Sequence, residues 1–333
     1  ERMSNVQAEE KIKGAVRQTY GDIARQFVDE SGEMAGRASC CGPAEESGER
    51  LAQAGCCGPA ELAGESSSGM DCCGTSRAPV EATGAARFYS ADELGDLPDT
   101  VTDASLGCGN PLAIAELQPG EVVLDLGSGG GIDCFLAAKR VGSEGKVIGL
   151  DMTPDMIKLA RRNAKKLDSQ NVDFRFGEME DMPLPGDSVD VVISNCVINL
   201  SPDKDAVFGE AFRVLRPGGR LSVSDIVVDG QLPAPIRQDL DAWAGCIAGA
   251  LDESDYLDKI RAAGFQDVQV LSRDYADLEE TVEWEQVQAM VVQDGGTVLG
   301  EEEVQAFLDG AGLSPKDLAR KVASIKVKAF KPT

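Results

Sequence analysis

From Glu121 onward, short apolar runs and helix-patterned segments alternate at a spacing that few architectures accept. Val122–Leu126 reads as a buried strand, followed by a glycine loop and a helix over about Ile132–Val141. Lys146–Asp151 is a second strand, and a helix runs from Pro154, suited to a helix's first turn, to about Leu167. Strands at Val172–Phe176 and Val189–Ser194, a helix over about Lys204–Leu215 and a strand at Arg220–Val227 continue the series. Pro217-Gly218-Gly219 ends the last helix and turns the chain. Such alternation predicts an α/β fold built on a doubly wound, mostly parallel sheet.

The flanks read differently. Residues 4–30 predict one amphipathic helix, with Val6, Ile12, Val16, Ile23 and Phe27 near one face, so that 1–30 forms an N-terminal helical unit. Between 31 and 83 the composition shifts to Gly, Ser, Ala, Pro and Glu, which cannot bury enough apolar surface to order itself. This predicts a flexible, Cys-rich segment. Cys-Cys-Gly recurs there at 40–42, 56–58 and 72–74, a period of 16 that marks duplication. The core is expected over 84–230, completed by a helical region over 231–271. That region holds a small-residue helix at Gln238–Leu251, a helix at Tyr256–Ala263 and a strand near Asp267–Leu271. Residues 272–333 read as a small α+β appendage ending in a strand at Ser324–Phe330.

Two counts restrict the chemistry. The 333 residues contain no histidine, which removes Ser-His-Asp and Cys-His machinery and any imidazole proton shuttle. Ten cysteines remain, and in a chain expected to be cytoplasmic they read as soft-metal or redox ligands rather than structural disulfides. The net charge of −25 makes nucleic acid and anionic membranes poor partners and suits solubility in concentrated salt. No apolar run approaches the roughly 20 residues of a membrane span. A soluble monomer is expected.

The cofactor is read from the first two strand ends. Gly127, Gly129 and Gly131 follow strand Val122–Leu126, but the third glycine is one residue too early for a dinucleotide's pyrophosphate. Asp125, at the strand's end, would repel a pyrophosphate yet accept from an amino group. Asp151, ending the next strand, can accept from both ribose hydroxyls. The pair describes a nucleoside with a cationic amino-acid tail and no phosphate, which is S-adenosylmethionine. Ser128, Met152 and Asn195 stand beside these residues in the expected pocket.

These residues resemble class I methyltransferases, and the similarity extends through Gly177-Glu178-Met179-Glu180-Asp181-Met182-Pro183-Leu184. It implies adenine contacts at Glu178 and Met179. Segments Ser105–Pro111, Ser194–Leu200 and Gly245–Leu251 are similar to the three cysteine segments of the arsenite methyltransferase family. Phe88–Ser90, Lys326–Phe330 and Tyr20–Ala24 resemble it as well. The resemblance implies methyl transfer to trivalent arsenic, arsenite or methylated arsenite, held by Cys108, Cys196 and Cys246, and arsenic detoxification as the role. It also implies an upstream cysteine that relays thiols or forms disulfides. Cys72 and Cys73 stand at a family-like distance from Cys108, Cys40 and Cys41 follow the Tyr20 segment as the family's upstream cysteines do, and the choice stays open. A thiol reductant, thioredoxin or glutathione, is implied to reset the cysteines. Cys134, beside Phe135 and Leu136 on the first helix, reads as packing. Two other functions fit parts of this pattern: a methyltransferase for a small organic acceptor, and a protein that sequesters metalloid without chemistry.

The Cys-Cys-Gly array generates a test of its own. Adjacent cysteines close a disulfide only in a strained ring, so each pair is suited to offer two thiols together or to exchange with a distant cysteine. Changing all six to serine is expected to leave S-adenosylmethionine binding intact and to slow arsenite turnover, most clearly at low arsenite. Mass spectrometry of arsenic species over time measures it, and wild-type kinetics in that variant would remove the array from the mechanism.

Overall fold

The computed structural model describes residues 2–27, 84–230, 248–275 and 321–333, with Trp243, Cys246 and short stretches at 292–293, 297–298, 306 and 309–310. The Cys-Cys-Gly array, including Cys72 and Cys73, and most of the expected helix at Gln238–Leu251 lie outside the described residues.

The alternation read from the sequence is present. The strands are β1 (Val122–Leu126), β2 (Lys146–Asp151), β3 (Val172–Phe176), β4 (Val189–Asn195), β5 (Leu215–Val228), β6 (Gln266–Tyr275) and β7 (Val322–Phe330). Helix α1 (Arg2–Gln26) precedes them, followed by the short helices α2 (Ala91–Leu94), α3 (Asp99–Thr102) and α4 (Leu112–Ala115). The crossover and covering helices are α5 (Ile132–Val141), α6 (Pro154–Lys166), α7 (Lys204–Val214) and α8 (Glu253–Ala262). These seven strands form the main sheet in the order β3-β2-β1-β4-β5-β7-β6, and Val292–Gln293 pairs with Thr297–Val298 in a separate two-stranded ladder. Neighbours from β3 to β5 are parallel, whereas β7 runs antiparallel to both β5 and β6.

Each strand splits its side chains between two cores because successive residues face opposite sides. In β1, Leu124 and Leu126 join Phe208, Tyr256 and Ile260 of α7 and α8 on one face. Val123 joins Phe135 of α5, Ile157 of α6 and Leu112 of α4 on the other. Leu126 lies opposite Leu150 in β2 and Ser194 in β4, so these three strands end level. Strand order reverses between β2 and β4 around β1, which opens a crevice at their carboxyl ends.

Three sequence expectations change. The strand expected to close a separate C-terminal appendage is instead the penultimate strand of the main sheet. It pairs with β5 from Arg220↔Phe330 to Val228↔Val322, and Ile325, Val327 and Ala329 are fully buried. The pairing is invisible in sequence because more than 90 residues separate its partners. The N-terminal helix is not a separate unit either: Val16, Thr19 and Ala24 are buried, and α1 packs against α6, while Val6 is left exposed. Finally, Pro217–Gly219 does not separate helix from strand but forms an irregularity within β5, its Gly218 N–H donating to the Lys331 carbonyl at 2.9 Å. Among the described residues, no helix is long and apolar enough to cross a membrane.

If β7 completes the core, truncating it internally must be costly. Ile325→Ala is expected to lose about 2–5 kcal/mol of unfolding free energy, the cost of an internal cavity. Urea denaturation measures it, and a loss well under about 1 kcal/mol would place the strand outside the cooperative core.

Candidate active site

The level ends of β1, β2 and β4 bring Asp125, Asp151 and Asn195 to one partly open cavity. Gly127, Ser128, Gly129, Met152, Met179 and Cys196 line it as well, as do Val16 and Tyr20 of α1. Gly127 has φ +64°, and a Cβ there would stand 2.2 Å from the Val197 side chain, so only glycine lets the loop pass. Asp151 is held by the loop it faces: Gly129 N–H donates to Oδ2 at 2.9 Å and Thr153 N–H to Oδ1 at 2.8 Å. Burial raises the Asp151 pKa, and the two N–H groups and the Thr153 hydroxyl partly offset it.

A second carboxylate, which sequence reading missed, stands beside Asp125. Asp133, in the first turn of α5, is 4% exposed and Asp125 2%. The Cys134 thiol donates to Asp125 Oδ2 at 3.2 Å, and the Tyr89 hydroxyl donates to Asp133 Oδ1 at 2.8 Å. Asn195 Nδ2 shares its two N–H groups among Asp133, Tyr89 and the Gly109 carbonyl. Neither carboxylate forms an ion pair among the described residues. Burial, then their mutual repulsion, pushes Asp125 well up, and burial pushes Asp133 up to about 6. Two buried carboxylates with no ion pair among the described residues fit a cationic ligand, and the unpartnered buried Ser128 Oγ and Asn195 Oδ1 fit its polar groups. Glu178 is placed differently from expectation. It is not among the cavity's lining residues; its carboxylate is taken by Lys13 (2.6 Å) and Arg17 of α1.

The three cysteines named from the sequence converge at the cavity's edge. Cys108 and Cys196 form a disulfide with their Cα atoms 5.5 Å apart. The Cys246 thiol donates to the Cys196 carbonyl at 2.8 Å. Cys196 and Cys246 have φ of +60° and +63°, a left-handed conformation uncommon outside glycine and concentrated at functional sites. The backbone hydrogen bonds Cys196 N–H to Ser224 O (2.7 Å) and Cys246 N–H to Trp243 O (3.0 Å) hold them there. The Cys108 loop is pinned by Asn195 on one side and by Ser324 of β7 on the other, whose hydroxyl donates to the Cys108 carbonyl at 2.9 Å. A Cβ on Gly109 would lie 1.8 Å from Ser224 Oγ, so the loop's approach also requires glycine.

Behind the cysteines lies a polar group that sequence reading did not single out. A carboxylate oxygen of Asp225 and the sulfurs of Cys108 and Cys196 all lie within 4.8 Å of one another. Asp225 is fully buried and accepts from the Tyr256 hydroxyl at 3.0 Å; burial pushes it up to about 7. Lys204, buried beside Trp243, donates to the Ser201 and Asn199 carbonyls, and burial brings it down to about 8. Burial and the Asp225 charge push the Cys246 thiol up to about 12. Asp225 lies inside β5, three residues before its end, so the strand-end position that singled out Asp125 and Asp151 did not reach it. Cys134 is fully buried, as its helical position suggested.

Residues 117–290 match the family described as a methyltransferase domain. An arsenite methyltransferase from Halobacterium salinarum is 50% identical over 195 residues, covering 58% of this chain and 50% of that protein. One from Aquipseudomonas alcaligenes is 45% identical over 168 residues, 48% of each. This chain thus spans about half the length of the curated relatives it matches. The crystal structure of an arsenic(III) S-adenosylmethionine methyltransferase from Chlamydomonas reinhardtii aligns with a TM-score of 0.57 and 35% identity. The alignment covers 72% of this chain and 73% of that one.

The paired carboxylates carry a pH dependence with a definite sign. Their folded pKa values are raised above the unfolded ones, so their contribution to stability is complete below about pH 4. It is lost as pH rises through the folded value, about 6 for Asp133. A bound ammonium group offsets that loss. The rise in Tm produced by saturating S-adenosylhomocysteine is therefore expected to grow from about pH 5 to about pH 7.5. Scanning calorimetry measures it, and a pH-independent increment would show that these carboxylates do not meet the ligand's cation.

Proposed function

The chain belongs to the arsenite methyltransferase family of S-adenosylmethionine-dependent enzymes, and we propose that it methylates trivalent arsenic held on Cys108, Cys196 and Cys246. One observation carries this reading. Three cysteines from segments about 50 and 88 residues apart meet in a single cluster at the edge of a cavity suited to a cationic nucleoside.

When bound, S-adenosylmethionine supplies an electrophilic methyl group on a sulfonium. Asp125 and Asp133 hold its ammonium group, Asp151 accepts from the ribose hydroxyls, and Met152 and Met179 pack the purine. With the disulfide reduced, the three thiols displace three hydroxides from arsenite as water and hold arsenic through soft sulfur ligands. The arsenic keeps its lone pair, which takes the methyl group without any base at the nucleophile. A chain without histidine can therefore catalyse the step by positioning, worth roughly 7–11 kcal/mol of barrier.

The transfer formally oxidises arsenic by two electrons. Two thiols that close to a disulfide return them, and the Cys108–Cys196 bond supports a cycle in which the binding cysteines themselves reach the oxidised state. Thioredoxin or glutathione then restores the thiols, with the upstream Cys72 and Cys73 as candidate relay residues. A reducing cytoplasm suits this cycle, arsenic detoxification is its biological use, and a monomer contains every residue it needs.

The experiment is incubation of the reduced chain with arsenite, thiol and S-adenosylmethionine, followed by mass spectrometry of the arsenic species. Cys196→Ser and Cys246→Ser are each expected to lower kcat/KM for arsenite by about 100-fold or more while cofactor binding persists. Cys108→Ser, on the glycine loop, is expected to retain more activity on methylated arsenite, which needs one thiolate fewer. Conversion at wild-type rates by all three variants would favour a small organic acceptor instead.

A further inference from the structure

Helix α1 touches both halves of the site through a single turn. Val16 and Tyr20, four residues apart and so on one face, both line the cofactor cavity. Tyr20 also packs into the cluster formed by Cys196, Cys246 and Leu200, next to Met152. Its hydroxyl is hydrogen-bonded to the Cys246 sulfur, with the tyrosine as donor.

The helix is fastened to the loops that carry the cofactor residues. Lys13 pairs with Glu178 at 2.6 Å and Glu180 at 3.4 Å, and Arg17 pairs with Glu178, in the segment that follows β3 and contains Met179. Arg25 pairs with Asp155, in the first turn of α6 and four residues after Asp151. These contacts account for the position of Glu178 away from the cavity: its charge seats α1.

We infer that Tyr20 is a positioning residue that couples the two sites, its ring closing the cofactor cavity and its hydroxyl orienting Cys246 for arsenic. The inference rests on the reading of Cys246 as an arsenic ligand. A ligand in the cavity meets the Val16–Tyr20 turn and favours the seated helix, and the seated helix presents the hydroxyl that holds the thiol. Coupling of this kind is reciprocal: whatever factor the cofactor adds to arsenite affinity, arsenite must add to cofactor affinity. The ring and the hydroxyl make separable contributions, so removing the oxygen alone should uncouple the sites without opening the cavity.

Calorimetric titration of the reduced full chain with arsenite, with and without the unreactive S-adenosylhomocysteine, tests this. In the wild type, S-adenosylhomocysteine is expected to tighten arsenite binding by about five-fold or more. In Tyr20→Phe the enhancement should fall to about one-fold, with each ligand's affinity for the chain free of the other left unchanged. Lys13→Ala combined with Arg17→Ala should lose the enhancement as well, with the hydroxyl still present. A merely structural tyrosine would lower Tm and weaken both ligands together. Enhancement that survives in Tyr20→Phe, or is absent from the wild type while arsenite still binds, overturns the coupling alone. A wild type that binds no arsenite at all overturns the proposed function together with it.

Discussion

Asp125 and Asp133 are buried together without a cation, and the rest of the site is organised around that charge. The arrangement persists because the sheet leaves no alternative. Asp125 terminates a strand whose neighbouring residues are locked into two apolar cores, and Asp133 opens the helix that the glycine loop launches. Isolated buried carboxylates either neutralise or acquire a partner. Here the acids are held partly in check by a thiol, a phenol and an amide, each a weak donor compared with an ammonium. A cationic ligand thus finds its attraction prepared before it arrives, a form of electrostatic preorganisation.

How far the sequence revealed this depended on the range of the contact. Strand and helix alternation and the glycine loop are local, and the structure contains them within a residue or two, apart from the early start of β5 at Leu215 and the extension of β6 to Tyr275. Asp125, Asp151, Cys108 and Cys196 could be singled out because strand ends and glycine-flanked loops are themselves local signals, whereas Cys246 rested on the family resemblance of its segment. What escaped was long-range. Asp133 looked like an ordinary polar residue in a helix's first turn, and Tyr89, which anchors it, lies 44 residues earlier. Glu178 was expected at adenine because nothing near it in sequence hinted that Lys13 and Arg17, some 160 residues upstream, would claim it. Asp225 and Lys204 become interpretable only when burial is known.

We read the cysteine cluster as a soft-metal site built without imidazole. Two of its three cysteines sit in left-handed backbone conformations, each held by an N–H to a carbonyl, so strain and hydrogen bonding together aim the sulfurs. Burial and the Asp225 charge keep the Cys246 proton on until something competes for the sulfur. A trivalent metalloid that arrives with hydroxides brings its own proton acceptors, which suits thiols that are protonated at rest.

The position of β7 has a bearing on biosynthesis. Its partner β5 leaves the ribosome about a hundred residues earlier, and at ordinary elongation rates of roughly 5–20 residues per second the interval lasts several seconds or more. During that time β5 presents an unpaired edge, and the Cys108 loop lacks the Ser324 hydroxyl that ties down its carbonyl. The Cys108 loop consequently gains its second anchor, beyond the Asn195 amide, only once β7 is in place. The same delay leaves an open β edge through which two nascent copies could pair, which makes chaperone access in that interval a determinant of yield.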